Sequence, residues 1–226
     1  MGVIDFMKSL LLLIKRLRTN EAGVALLEFA IALPVLLTLF IAGSEIIRGY
    51  IIYQRLEKTA WSAADTVAQI NTQTMATLAT ASGSAPTVIF TSYMNAVFGA
   101  TQSMMGVYGT TNVLISDYAN QGAGVIQNWK CITAGAGNAT RITTAGTSLS
   151  FPNGVALTLN VGDGIIVAEA FYSYSPVIAN NFMSPYTFYS LEHHALHAAT
   201  GPRGHYSTSL ASFGTSASGA NFTCSP

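Results

Sequence analysis

The feature that most constrains this chain is one uninterrupted apolar segment close to its start. Residues 24–43 read VALLEFAIALPVLLTLFIAG, in which Glu28 is the only ionisable residue. A helix of this length spans about 30 Å, the thickness of the hydrocarbon core of a bilayer. The segment therefore predicts a membrane-spanning helix. The alternative is a buried helix of a soluble domain, in which so long an apolar stretch is uncommon.

Basic residues lie directly before this segment and predict its orientation. Residues 1–23 carry four Lys and Arg side chains against Asp5 and Glu21, a local net charge of +2. The positive-inside rule then places the N-terminus in the cytoplasm and the rest of the chain outside it. We therefore expect a single-pass membrane protein with a large exported C-terminal part and with the lipid bilayer as a partner. Because the whole chain has zero net charge, no nucleic-acid partner is expected.

A helical pattern continues beyond the apolar segment. Apolar residues recur three or four positions apart along one face, at Ile52, Leu56, Ala60, Ala63, Val67 and Ile70. This spacing predicts one long helix from about residue 24 to about residue 70. Pro34 lies inside it, where it should kink the helix and leave the carbonyl of Ala30 without its usual donor. The predicted organisation is a basic leader (1–23), a membrane helix (24–47), its extracytoplasmic continuation (48–80) and an exported domain (81–226).

The exported domain shows strand patterns separated by turns. They lie at residues 113–115, 126–132, 155–160 and, most clearly, 165–174, where side chains alternate between two faces. We expect Glu169 on the solvated face of the last strand. Residues 72–84 predict either a frayed helix end or a loop. The fold class is therefore α+β, a long helix packed on a small antiparallel sheet.

The spacing of Gly23 and Glu28 points to a processing and assembly site. A carboxylate costs about 2.5 to 3.5 kcal/mol at the centre of a bilayer, so its presence needs a reason. Cleavage after Gly23 would make Val24 the new amino terminus and Glu28 the fifth residue. A carboxylate there can pair with the amino terminus of a neighbouring subunit in a low-dielectric bundle. The alternative is a side chain that merely reaches the cytoplasmic interface.

This arrangement resembles the type IV pilin signature, and it is most similar to the TadE-like proteins of the tight-adherence pilus system. The resemblance is carried by EFAIALP at 28–34, by WSAAD at 61–65, and more loosely by residues 161–174 with their Tyr-x-Tyr ending. It implies a pilin-like accessory subunit that is cleaved by a prepilin peptidase and needed for pilus assembly. Other pilin and pseudopilin subunits and the assembly platform would be its partners, and Glu28 and Pro34 its assembly residues.

One departure from the pilin pattern and one alternative function accompany this resemblance. Many pilins begin their mature chain with an aromatic residue or Met, whereas this chain would begin with Val24, so methylation of the new terminus follows less directly than cleavage. The alternative function is a permanently anchored extracytoplasmic binding domain that never enters a filament.

The two cysteines and the histidines give further candidate sites. Cys131 and Cys224 lie in the exported part, where thiols oxidise, which favours a disulfide over two unpaired thiols. His193, His194 and His197 with Glu192 would suit a metal on a helix, since His193 and His197 lie four apart on one face. The order is not that of zinc proteases, however, and only His205 could supply a further ligand. No metal and no cofactor are therefore expected. Neither a nucleophile elbow nor a phosphate-binding glycine loop is present in the sequence, so we expect no enzymatic activity.

Overall fold

The structure is a computed structural model that describes residues 15, 21–69, 80–83, 86–176, 184–196 and 219–225. Within these residues it contains two long helices and eight strands. The chain divides into two units. The first includes residues up to Arg48, and the second, which holds the sheet, begins at Gly49.

The first helix, α1, runs without interruption from Glu21–Ala68 and contains Pro34. In the second unit its buried face is formed by the residues that the spacing predicted, namely Ile52, Leu56, Ala60, Ala63 and Val67. The predicted apolar stripe is therefore confirmed, except for Ile70, which lies outside the described residues. The alanines in this stripe present little bulk, which lets the helix backbone approach the sheet closely.

A second helix, α2, spans Pro86–Met105 and was not predicted. Its buried residues nevertheless follow a helical spacing: Phe90, Met94, Val97, Phe98, Thr101 and Met105. Proline suits the first turn, where its missing N–H has no helical acceptor to bond. Of residues 72–84, for which a frayed helix or a loop was expected, the structure describes only 80–83, and 80–82 are helical.

The main sheet is antiparallel and five-stranded, in the order β7-β6-β1-β2-β8. Its strands are β1 (Asn112–Asn120), β2 (Val125–Thr133), β6 (Gly164–Tyr174), β7 (Tyr186–Leu196) and β8 (Phe222–Ser225). A smaller antiparallel sheet of β3 (Thr143–Ala145), β4 (Ser148–Ser150) and β5 (Ala156–Thr158) accompanies it. All four predicted strands are confirmed, whereas β3, β4, β7 and β8 were missed.

The alternation predicted for β6 sorts its side chains between two separate clusters of buried residues. Ile166, Ala168 and Ala170 pack in the larger cluster with the buried faces of α1 and α2. Ile165 and Val167 point the other way and pack with Leu149 of the small sheet and its neighbours. The main sheet thus has helices on one face and the small sheet on the other, which confirms the α+β class.

This second covering layer overturns the expectation for Glu169. The residue lies on the face of β6 predicted to be solvated, yet its side chain is fully buried. The face is covered because residues 140–159 fold over it, contributing Ile142, Leu149, Phe151 and Leu159 to the second cluster. The expectation was wrong because alternation distinguishes two faces of a strand but does not show whether a later segment covers the polar one.

Candidate functional site

The predicted processing and assembly residues all lie on α1. Glu28 is exposed, and so are the large apolar side chains around it, with Leu27 63%, Phe29 61% and Ile31 66% exposed. Among the described residues the Glu28 carboxylate has neither a hydrogen-bond nor an ion-pair partner. A helix that is apolar on every side requires apolar surroundings, either lipid or other helices.

The same segment is long and apolar enough to cross a membrane. Gly23–Ala68 contains an 18-residue window of mean hydropathy 2.5, none of which is buried. The hydroxyl groups of this segment form hydrogen bonds within the helix. Thr38 Oγ1 donates to the carbonyls of Pro34 and Val35, and Ser44 Oγ donates to the carbonyl of Ile41. Such internal bonding is what a polar side chain needs in hydrocarbon. The helix therefore fits a single-pass membrane anchor.

The Trp61–Asp65 segment meets the far end of β7. Asp65 Oδ1 lies 4.0 Å from Nδ1 of His194, and the Trp61 ring packs edge-on to the same imidazole at 6.0 Å. Ala63 and Ala64, between them, are buried against the sheet. The segment therefore packs α1 against the main sheet, and the Trp61 side chain is exposed at the surface.

The Tyr-x-Tyr ending of β6 contacts the turn after α2 and the start of β7. Tyr172 donates a hydrogen bond to the carbonyl of Tyr108, in the turn after α2. Tyr174 is buried and packs its ring against Tyr186 and Phe188 at the start of β7. This motif thus has a packing role in the domain.

Glu169 is the centre of a polar site that sequence reasoning missed. Its carboxylate accepts hydrogen bonds from the Thr140 hydroxyl, the Arg141 backbone N–H and the Tyr189 hydroxyl. The Arg141 guanidinium stacks 4.5 Å from the Tyr189 ring and 5.5 Å from the Phe171 ring. Burial and the negative Glu169 raise the pKa of the Tyr189 hydroxyl, so this hydroxyl stays a donor. No local pattern marks the site, because its donors come from distant parts of the chain.

Asp117 is a second buried carboxyl group. Asn128 is the extra residue of a bulge between β1 and β2, and its Nδ2 donates a 2.9 Å hydrogen bond to Asp117 Oδ2. Gln121 donates in turn to Asn128. Burial raises the pKa of Asp117 to about 7, although the bond from Asn128 lowers it. Burial thus favours the neutral carboxylic acid over the carboxylate at this position.

Cys131 and Cys224 lie opposite each other in the β2–β8 ladder and are joined by a disulfide. Both cysteines are buried. The C-terminal strand is held further by Phe222, whose ring stacks on Phe98 of α2 at 5.4 Å. The bridge therefore closes a long stretch of chain onto the domain core.

The histidine arrangement differs from the one considered from the sequence. Glu192, His193 and His194 lie on strand β7 and not on a helix, so neighbouring side chains point to opposite faces. His193 stacks on Phe151 at 5.4 Å. Burial and the nearby Glu57 carboxylate raise the pKa of Glu192, while the two histidines lower it. Among the described residues no group of three or more His, Cys, Asp and Glu side chains is placed to hold a metal ion, and His197 and His205 lie outside them.

Comparison with known proteins gives a family match over part of the chain. No curated protein and no solved structure matches the chain. Residues 23–65, however, match the family described as TadE-like protein. The matched segment begins at Gly23, includes Glu28 and Pro34, and ends at Asp65, where α1 meets β7. This match confirms the resemblance predicted from the sequence: residues 23–65 are similar to the TadE-like family.

Proposed function

We propose that this chain is a pilin-like accessory subunit that takes part in assembly of a tight-adherence pilus and so in surface attachment. One observation carries the proposal: the TadE-like match begins at Gly23 and covers a helix that exposes apolar side chains on all sides around Glu28. Such a helix suits two environments in turn, a bilayer before assembly and a bundle of like helices after it. The role is assembly, without enzymatic turnover.

Maturation would occur by prepilin-peptidase cleavage between Gly23 and Val24. The cut removes the segment with a net charge of +2, which the positive-inside rule keeps in the cytoplasm. It leaves a mature chain with an extracytoplasmic domain and a new amino terminus four residues before Glu28. The inner membrane is the compartment in which this processing would take place.

Glu28 would then act between subunits. Its carboxylate is exposed, unpartnered among the described residues and surrounded by apolar side chains. Leaving it unpaired in a low-dielectric bundle is costly, whereas the Val24 ammonium of a neighbouring subunit would neutralise it. Pro34 is the second proposed assembly residue. Because proline has no backbone N–H, the Ala30 carbonyl lacks the helical donor that another residue at position 34 would provide.

Mass spectrometry of the mature protein tests cleavage directly. In cells with an active prepilin peptidase we expect a chain that begins at Val24, and in cells without the peptidase a chain that retains residues 1–23. A Gly23→Val variant should stay uncleaved, because a side chain is added at the cut. Ala22→Val, one residue upstream, is the matched control and should be processed.

The same experiment separates the proposal from its alternative. A permanently anchored binding domain predicts that residues 1–23 remain in both strains and that loss of the peptidase has no effect. An intact N-terminus in cells with active peptidase would therefore overturn the accessory-subunit proposal.

A further inference from the structure

Four aromatic side chains form a patch at one end of the domain. The aromatic patch consists of Tyr50 and Tyr53 of α1 with Tyr186 and Phe188 of β7. The Tyr53 and Phe188 rings lie 6.0 Å apart, and those of Tyr186 and Phe188 lie 4.9 Å apart. Tyr50 is 61% exposed, and Tyr53 and Tyr186 are each 41% exposed. The three tyrosines therefore form an accessible surface, while Phe188 packs against the core beneath them.

Gly49 brings the two parts of the patch together. A Cβ atom on this residue would lie 3.6 Å from the Tyr186 hydroxyl and 3.7 Å from Cζ of Phe188, so the start of β7 lies against the helix here. Tyr186 also pairs with Tyr174, the last residue of β6. The patch thus occupies the end of the sheet at which β6 finishes and β7 begins.

The opposite end of the same sheet has a different chemistry. There β6 begins after Asp163, whose carboxylate accepts hydrogen bonds from the backbone and side chain of Asn160. Asn120, the last residue of β1, bonds through Nδ2 to the Leu159 carbonyl. One end of the sheet is rich in aromatic side chains, with Arg55 lying 5.0 Å from the nearby Tyr108 ring, and the other carries amides and a carboxylate. Only the first end suits an environment that is part apolar and part wet.

The position of the patch along α1 matches the edge of a bilayer. The exposed Ile46 and Ile47 extend the apolar surface beyond Gly43, and Tyr50 follows Ile47 by three residues, about 4.5 Å of helix. Two charged residues, Glu45 and Arg48, lie in the same stretch. The headgroup layer beyond the hydrocarbon core is about 5 to 8 Å thick on each side. Tyrosine is enriched at this level because its ring is apolar while its hydroxyl bonds to water or headgroups.

We propose that the aromatic patch lies in the headgroup layer of the exported leaflet, so that the domain rests on the bilayer through the aromatic end of its sheet. The inference rests on the proposed membrane anchoring. The occupant of the patch is therefore phospholipid at the level of the headgroups and upper acyl chains. Before assembly, such docking would hold the exported domain at the membrane surface.

Quenching of tryptophan fluorescence by brominated lipid tests the proposal in the full-length, uncleaved chain. The protein is placed at low density in phosphatidylcholine vesicles brominated on the acyl chains near the glycerol. The chain has two tryptophans; Trp129 is buried, and Trp61→Phe removes the exposed one. Probes are then added one at a time to the Trp61→Phe background: Tyr186→Trp in the patch, Leu36→Trp in the membrane helix, and Val161→Trp at the polar end as the matched control.

We expect brominated lipid to reduce the emission of the Tyr186→Trp and Leu36→Trp variants by roughly twofold, and to leave the Val161→Trp variant and the original Trp61 unchanged. Quenching of Leu36→Trp without quenching of Tyr186→Trp would overturn the docking proposal and leave the anchor standing. Absence of quenching at Leu36→Trp would overturn the anchor itself. Emission of Tyr186→Trp that shifts with protein density but not with bromination would show that a second copy covers the patch, which also overturns lipid docking.

Discussion

The Tyr189 hydroxyl on β7 donates a 2.9 Å hydrogen bond to Oε1 of Glu169 on β6. The same oxygen accepts the Arg141 backbone N–H at 2.8 Å. This carboxylate is fully buried between the main sheet and the segment that covers it. The bond therefore links the covering segment, β6 and the edge strand β7 through one charged group.

Tyr189→Phe should destabilise the domain by about 1.5 to 3 kcal/mol, the range for a hydrogen bond to a charged group. Thermal or denaturant unfolding of the full-length protein in detergent micelles measures this. Glu169→Ala should cost more, since it leaves the hydroxyls of Thr140 and Tyr189 and the Arg141 N–H without their acceptor. In a double-mutant cycle, Tyr189→Phe should cost less in a Glu169→Gln background. Equal costs in both backgrounds would show that the two residues are not coupled.

Asp117 should make stability depend on pH. Its pKa rises from 3.8 to about 7 on folding, so the folded state holds the proton more tightly than the unfolded chain. The resulting stabilisation is fully present below about pH 4 and is lost as pH rises through about 7, at about 1.4 kcal/mol per pH unit in between. Unfolding free energies from pH 4 to 8 measure this. Asp117→Asn, which cannot ionise, should flatten the decrease, and identical profiles for both proteins would contradict the assignment.

Sequence reasoning worked best where one face of an element is apolar and the other is not. Ile52, Leu56, Ala60, Ala63 and Val67 give α1 a helical stripe, and the alternation of β6 separates Ile166 from Ile165. Both patterns involve residues that are close together in the sequence, so they can be recognised without knowing how the rest of the chain packs. The pattern in α2 is equally regular, from Phe90 to Met105, but its β-branched and aromatic residues have weaker helix propensity.

The parts that could not be predicted depend on distant segments. Glu169 looks solvated from its own strand, and only the fold of residues 140–159 buries it. The site also needs Tyr189, whose strand was not recognised. His193 and His194 lie on β7, which pairs with β6, so their side chains point to opposite faces of the sheet. In each case the decisive contact joins residues that no short sequence window contains.

The disulfide should contribute strongly to stability. The bridge joins residues 93 positions apart, and closing a loop of this length is worth about 4 to 5 kcal/mol in the chain-entropy model. The double variant Cys131→Ala and Cys224→Ala should therefore unfold at a markedly lower temperature. Wild-type protein whose disulfide has first been reduced in denaturant should unfold at the same midpoint temperature as the double variant. Unchanged unfolding in both experiments would show that the bridge contributes no stability.

Gly49 should tolerate a methyl group but not a large side chain. A Cβ there would make ordinary contacts with Tyr186 and Phe188, at 3.6 and 3.7 Å. Gly49→Ala should stabilise the protein by up to about 1 kcal/mol, because alanine has the higher helix propensity. Gly49→Leu should destabilise it by about 1 to 3 kcal/mol, since the added atoms would push β7 away from α1. A comparison of the two unfolding midpoints measures this difference, and a stabilising leucine would contradict the close approach.

Glu28 should be needed for assembly but not for export or processing. Glu28→Ala removes a carboxylate that is exposed among apolar side chains, so insertion into the membrane should become slightly easier and cleavage after Gly23 should continue. Pilus production should nevertheless be lost, because the amino terminus of the neighbouring subunit no longer finds its counter-charge. Electron microscopy of sheared pili, with mass spectrometry of the cell-bound protein, measures both effects. Leu27→Ala, the adjacent exposed residue, is the matched control and should assemble. Normal pili from Glu28→Ala cells would show that the carboxylate has no part in assembly.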